Sequence, residues 1–273
     1  MLRRPRLDPV PAVAVLLLVG VVAVTAGVAT RSQGTPRAWT VPAPATVAAA
    51  PMDPAPMDPA EAAAPPEPGQ LTPPAVSARP QASAAWVASV GAATGIGSVA
   101  LAAYADATLA LAGDQPSCRL GWTTLAAIGG IESGHGTYGG AELREDGRPT
   151  IPIVGPALDG RPGFAAIPAA PDATAWHGDP VWDHAIGPLQ FLPSTWRRWG
   201  ADADGDGAAD PNDTDDAALA AGRYLCAAGA DLTAAPAWRA AVLTYNHSEA
   251  YVSEVLTAAN GYAVASRQAA GRL

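Results

Sequence analysis

Ile128-Gly-Gly-Ile-Glu-Ser-Gly-His-Gly136 closes an apolar run on one carboxylate, Glu132. Leu125, Ile128 and Glu132 stand at i, i+3 and i+7, the spacing of one helical face, which predicts a helix over 120–133. Apolar neighbours on that face predict burial, and desolvation raises a carboxyl pKa. Gly134 suits the left-handed turn that ends a helix, so Glu132 falls in the last turn, near the negative end of the helix dipole. Both effects hold the carboxyl protonated toward neutral pH, as a general acid requires. These nine residues alone leave a plainer alternative open: a surface Glu beside a helix end.

Outward from this helix, the chain beyond residue 80 reads as mainly α. Candidate helices are 98–112, 193–199, 214–228, 236–246 and 249–259. Thr214 reads as an N-cap with Asp215 and Asp216 in the first turn, and Gly229 as the stop. Pro236 starts the next helix, where Trp238, Ala241, Val242 and Tyr245 form an i, i+3, i+4, i+7 stripe. Tyr251, Val252, Val255 and Leu256 give the last helix its buried face. Residues 136–185 are rich in Gly and Pro and lack periodicity; a stretch that long is expected to wall or cover a binding site.

Two more motifs follow Glu132 in order. Gly187-Pro-Leu-Gln-Phe-Leu-Pro-Ser-Thr-Trp196 begins 55 residues after it, and Leu243-Thr-Tyr-Asn-His-Ser248 comes next. Gly187 and Pro188 can bring backbone close to a ligand, Gln190 offers a donor and an acceptor, and Phe191 a flat apolar face. Sugars use both, through hydroxyl and acetamide groups and through ring faces. A loop-to-helix junction is the bland reading of the same segment. Tyr245 continues a buried stripe, whereas Asn246 lies just past it and is expected to face a substrate.

Together the three motifs resemble the lytic transglycosylases of the lysozyme superfamily, which cut the glycan strands of peptidoglycan, and among them the membrane-bound lytic transglycosylase B type. The resemblance spans residues 115–260 and is weaker over 136–185. It implies a mainly α, lysozyme-like (SLT-type) domain with its cleft between the Glu132 helix and the segments holding Gln190 and Asn246. It implies Glu132 as the catalytic acid, with Ser133, Gln190, Phe191, Tyr245 and Asn246 against the substrate. The implied reaction cleaves the MurNAc–GlcNAc β-1,4 bond and leaves 1,6-anhydro-MurNAc ends.

A hydrolytic muramidase is the alternative within the fold; it needs a second carboxylate, for which Asp172, Asp179 and Asp183 are available. A non-catalytic peptidoglycan-binding module is the other, and it would have no use for the acid. Trp176 and Trp182 could add sugar contacts. His135, His177, His184 and His247 share no metal-ligand spacing and read as structural.

Asp202-Ala-Asp-Gly-Asp-Gly-Ala-Ala-Asp-Pro-Asn-Asp213 has the spacing of a calcium-binding EF-hand loop. Asp202, Asp204 and Asp206 take positions 1, 3 and 5, Gly207 the sharp turn, Ala208 the backbone position 7, and Asp210 and Asp213 positions 9 and 12. Asp213 replaces the usual bidentate Glu with a shorter side chain. Carboxylates this dense repel unless a cation or full hydration compensates. A structural Ca²⁺ is therefore expected, against a solvated acidic turn, and no organic cofactor.

Arg3, Arg4 and Arg6 precede an uncharged stretch from Pro9 to Thr30, whose 22 residues at ~1.5 Å each cover a bilayer core of roughly 30 Å. The positive flank places everything after Arg31 outside the cytoplasm, whether residues 1–31 are a signal-anchor in the membrane or a cleaved signal peptide. Residues 32–80 hold 13 of the 28 prolines and repeat Ala-Pro-Met-Asp-Pro at 50–54 and 55–59, a composition that cannot bury a core and predicts an extended linker. The folded domain is expected over 81–273. Cys118 and Cys226, in a chain addressed to the cell envelope, are expected to form a disulfide. A net charge of −9, with every basic residue an Arg, argues against nucleic acid as partner. No Gly-rich phosphate loop is present, and a monomer is expected.

Overall fold

The computed structural model describes residues 79–161 and 165–270. The expected membrane or signal segment and the Pro/Ala-rich linker up to residue 78 lie outside the described residues.

Eight α-helices are described: α1 Ala84–Thr94, α2 Ser98–Asp114, α3 Trp122–Ser133, α4 Thr174–His177, α5 Pro193–Trp199, α6 Thr214–Ala228, α7 Ala235–Tyr245 and α8 Glu249–Ala270. Among the described residues the only β pairing is a set of isolated bridges, all within 143–191. The mainly helical, lysozyme-like expectation agrees with this architecture.

The helix that carries Glu132 lies at the centre. α3 packs between α2 and α8, α2 against α6, and α6 against α7. Leu125, Ala126, Ala127 and Ile128 are fully buried, so the apolar face read from sequence extends round the helix. Gly129 explains how a helix can be enclosed so tightly. A Cβ there would stand 2.1 Å from the Tyr104 hydroxyl of α2. The propensity penalty of a mid-helix Gly, about 1 kcal/mol, is accepted for close approach.

Several local expectations need correction. α1 was not expected: its sequence is rich in Ala, yet Ser83 caps its start by accepting from the Trp86 N–H, and left-handed Gly95 ends it. α3 starts at Trp122 rather than residue 120, and α7 at Ala235 rather than Pro236, which takes its second position. The N-cap of α6 is Asp213, whose carboxylate accepts from the Asp215 N–H; Thr214 is the first helical residue, and its hydroxyl donates to the Gly147 carbonyl. α8 runs to Ala270 rather than 259. Asn260-Gly261 reads as a stop, but packing against α3 and α1 carries the helix through it.

Cys118 and Cys226 form the expected disulfide, joining the approach to α3 with α6. In the chain-entropy account, a closed loop of this size is worth up to ~5 kcal/mol. The described parts of the stretch, 136–161 and 165–185, form a series of bridged turns. A hairpin pairs Leu143 with Pro149, and farther on Val154 pairs with Ile186 and Pro168 with Trp182.

Candidate functional site

Left-handed Gly134 ends α3, its N–H returning to the carbonyls of Gly129 and Gly130. Glu132 is left half-buried in the last turn, with burial pushing its carboxyl above the ordinary range. The opposing influence is a hydrogen bond: the Tyr251 hydroxyl donates to Glu132 Oε1 at 2.6 Å. Burial and the nearby carboxylate in turn drive the Tyr251 hydroxyl far up, so it remains a donor. Sequence reading had placed Tyr251 on a merely apolar face. A buried Tyr needs a partner for its hydroxyl, and that need was the available signal.

Hydrogen bonds join Ser133, the neighbour of Glu132, to the second motif and the third motif to the second. Ser133, 2% exposed, donates to the Pro188 carbonyl at 2.6 Å and accepts from the Gly136 N–H. Tyr245, at the end of α7, donates to the Leu189 carbonyl at 2.6 Å. The 187–191 turn is therefore held from both sides, by the residue next to Glu132 and by the Tyr of the third motif. Gln190 sits in this turn with φ 49°, its Nε2 donating to the Gly187 carbonyl at 3.0 Å. Phe191, 3% exposed, packs its ring edge-on to Trp196 and Tyr245 and belongs to the core. Asn246 caps α7, and its side chain is exposed.

Behind α3, His135 links two helices. Its Nδ1 lies 3.3 Å from the Tyr104 hydroxyl of α2 and its Nε2 3.0 Å from the Tyr262 hydroxyl of α8. Burial lowers its pKa to about 4, so a neutral ring braces the turn after Glu132.

The three carboxylates available for a second acid are all engaged. Asp172 makes two 2.7 Å bonds with Arg197. Asp183, 3% exposed, meets His177 at 3.0 Å. Asp179 accepts from the N–H groups of Val181 and Trp182 and meets His184 at 3.1 Å.

The acidic loop splits the set expected to hold a metal. Asp206, Asp210 and Asp213 turn to one guanidinium, that of Arg148 in the 143–149 hairpin, at 3.0, 3.2 and 3.2 Å. Asp202 and Asp204 instead converge with Asp216, their ligand oxygens all within 4.8 Å of one another. Asp216 is fully buried and stitches the loop, accepting from the N–H groups of Ala203 and Asp210. It lies three residues past the twelve-residue spacing, so that pattern could not select it. Burial, then neighbouring carboxylates, push Asp215 up to about 7 and Asp216 to about 6. Oxygen ligands so crowded, with Asp216 buried among them, fit a hard divalent cation. A cavity of about 530 Å³ opens beside them, lined by Arg79, Asp106, Asp202, Asp204, Asp215 and Leu219 among others. It borders the acidic loop and does not include Glu132.

No curated protein and no solved structure matches the chain. Residues 174–242, from α4 through Gln190 and the acidic loop to the middle of α7, match the transglycosylase SLT domain family; Glu132 and Tyr245-Asn246 flank the matched segment on either side.

Proposed function

We propose that the chain is a peptidoglycan lytic transglycosylase of the membrane-bound B type, with Glu132 as its single catalytic acid and base. The observation that carries this reading is the Glu132 carboxyl: desolvated, raised in pKa, held by Tyr251, and tied through Ser133 to the segment matching the SLT family. Glu132 protonates the glycosidic oxygen between MurNAc and GlcNAc, and the C1–O bond breaks as the acetamide oxygen of MurNAc bonds to C1. Glu132, now ionised, takes the proton of the C6 hydroxyl as that oxygen displaces the acetamide. A 1,6-anhydro ring closes and no water is consumed. Gln190 and Asn246 hold the acetamide and its neighbours in register.

The pairing of Asp172 with Arg197, Asp183 with His177 and Asp179 with His184 supports this route over hydrolysis, since each carboxylate already has a structural partner. Mass spectrometry of products from purified peptidoglycan tests the reading. Products ending in 1,6-anhydro-MurNAc are expected; ends that take up oxygen from labelled water would reveal a hydrolase and overturn the mechanism.

Asp202, Asp204 and Asp216 hold a structural Ca²⁺, together with the Ala208 carbonyl read from the loop spacing, and the ion fixes the loop at the start of α6. Arg148 serves as counter-ion to the remaining carboxylates. An ion that binds the folded state alone stabilises it. Calcium at a hundredfold excess over its dissociation constant is expected to raise the melting temperature on the order of 5 °C over chelator-treated protein. Asp204→Ala is expected to lose that response while retaining part of its activity; no shift in the wild type at millimolar calcium would count against the site. The N-terminal segment places the enzyme in the cell envelope, tethered to the membrane.

A further inference from the structure

His177 and His184 sit in the bridged stretch before Gln190 with ring centroids 4.9 Å apart and planes tilted by 34°, and their partners give them different hydrogen-bond roles. The Asp179 N–H donates to His177 Nδ1 at 3.2 Å, so that nitrogen carries a lone pair, and Nε2–H donates to Asp183 at 3.0 Å. His177 is a neutral tautomer. His184 meets acceptors on both sides: the Gly155 carbonyl at 2.7 Å from Nδ1 and the Asp179 carboxylate at 3.1 Å from Nε2. A carbonyl only accepts, so Nδ1 carries a proton. The Asp179 carboxylate accepts as well, held down to about 2 by the Val181 N–H, then His184 and the Trp182 N–H. Both nitrogens of His184 therefore face acceptors, whereas His177 faces one donor and one acceptor.

The carbonyl that His184 grips belongs to the residue against which Gln190 packs. A Cβ on Gly155 would stand 2.7 Å from Gln190 Oε1, and the Gly155 N–H is bonded to the Ala185 carbonyl at 2.8 Å. We infer that His184 is a positioning residue, an imidazolium clasp that ties the Gly155 peptide to Asp179 and so fixes the wall holding the Gln190 amide. The inference deepens the reading of Gln190 as a substrate contact and rests on it for its consequence in catalysis. Charged and titratable groups around the clasp are Asp179, His177 with its partner Asp183, and, acting on Asp183 from α5, Arg197.

The experiment is ring-nitrogen NMR of the histidines in the full-length protein across a pH series, with exchange of the Gln190 side-chain amide followed in parallel. Expected results are a His184 ring with protons on both nitrogens beside a His177 ring with one, and a protected Gln190 side-chain amide. His184→Gln is expected to speed Gln190 side-chain exchange and lower kcat/KM on glycan strands roughly tenfold, as misplacement of a positioning group does. A neutral His184 ring at a pH where Gln190 is fully protected would overturn the clasp, as would unchanged Gln190 exchange in a folded His184→Gln protein. Because exchange is read without substrate, a wild type that yields no anhydro product would sink the functional reading and leave the clasp to be judged on NMR alone.

Discussion

Glu132→Gln is expected to bind glycan strands and to cut them at no more than about a thousandth of the wild-type rate, the loss typical when a general acid is removed. The substitution preserves shape and can still accept from the Tyr251 hydroxyl, which donates to Glu132 at 2.6 Å. Binding should survive for that reason, while protonation of the leaving oxygen should not. A variant that kept a tenth of wild-type turnover would assign the acid role elsewhere. Tyr251 supports the ionised carboxylate more than the acid, so it lowers the pKa that burial raises. Both states are used in the proposed cycle, first as acid and then as base.

The same residue should cost the fold stability at neutral pH. Its folded-state pKa lies above the unfolded value, so the native state binds this proton more tightly. The resulting stabilisation is fully present below the unfolded carboxyl pKa and is lost as pH rises through the folded one. Above that window the buried group is a charge taken out of water, whereas Gln is neutral throughout. Glu132→Gln should therefore melt higher than wild type near pH 7, with the difference closing toward pH 4. A decrease in melting temperature at pH 7 would contradict the burial argument.

How far the sequence reached depended on whether a feature was local. The α3 face, the Gly134 stop and the stripe of α7 depend on periodicities a few residues long, and the structure keeps them. α1 has little periodic contrast because Ala fills both its faces, and the end of α8 is decided by what packs on it rather than by Asn260-Gly261. At the candidate site, the three motifs singled out Glu132, Gln190 and Asn246 as candidates. It could not pair Tyr251 with Glu132 across 119 residues, or see Arg148 take three carboxylates of the loop. Ser133 and Tyr245, read as substrate contacts, also have their hydroxyls bonded to the 187–191 backbone. Such partners belong to the tertiary fold, and nothing in their neighbourhood in the chain announces them.

Gly187→Ala is expected to be the most damaging substitution for stability, because two independent constraints meet at this residue. Its φ of 76° lies where L side chains are strained, and a Cβ would stand 1.8 Å from the Pro211 carbonyl oxygen. The obstacle is backbone, so it cannot rotate aside. Gly187 also donates its N–H to the Ile153 carbonyl and accepts from Gln190 through its own carbonyl, so moving it disturbs the Gln190 turn. Moving residues 211–212 instead disturbs the approach to Asp213, the N-cap of α6. Gly205 offers the comparison: its φ is 84°, yet nothing lies within 4 Å of a Cβ there. Gly205→Ala should lose only the backbone preference, about 1–2 kcal/mol, while Gly187→Ala should lose roughly 4 kcal/mol or more in denaturant unfolding. Equal losses at the two positions would mean that the close approach of the second motif to the acidic loop contributes nothing. A larger loss at Gly187 than at Gly205 would show that the candidate catalytic turn is held against the backbone that leads into α6.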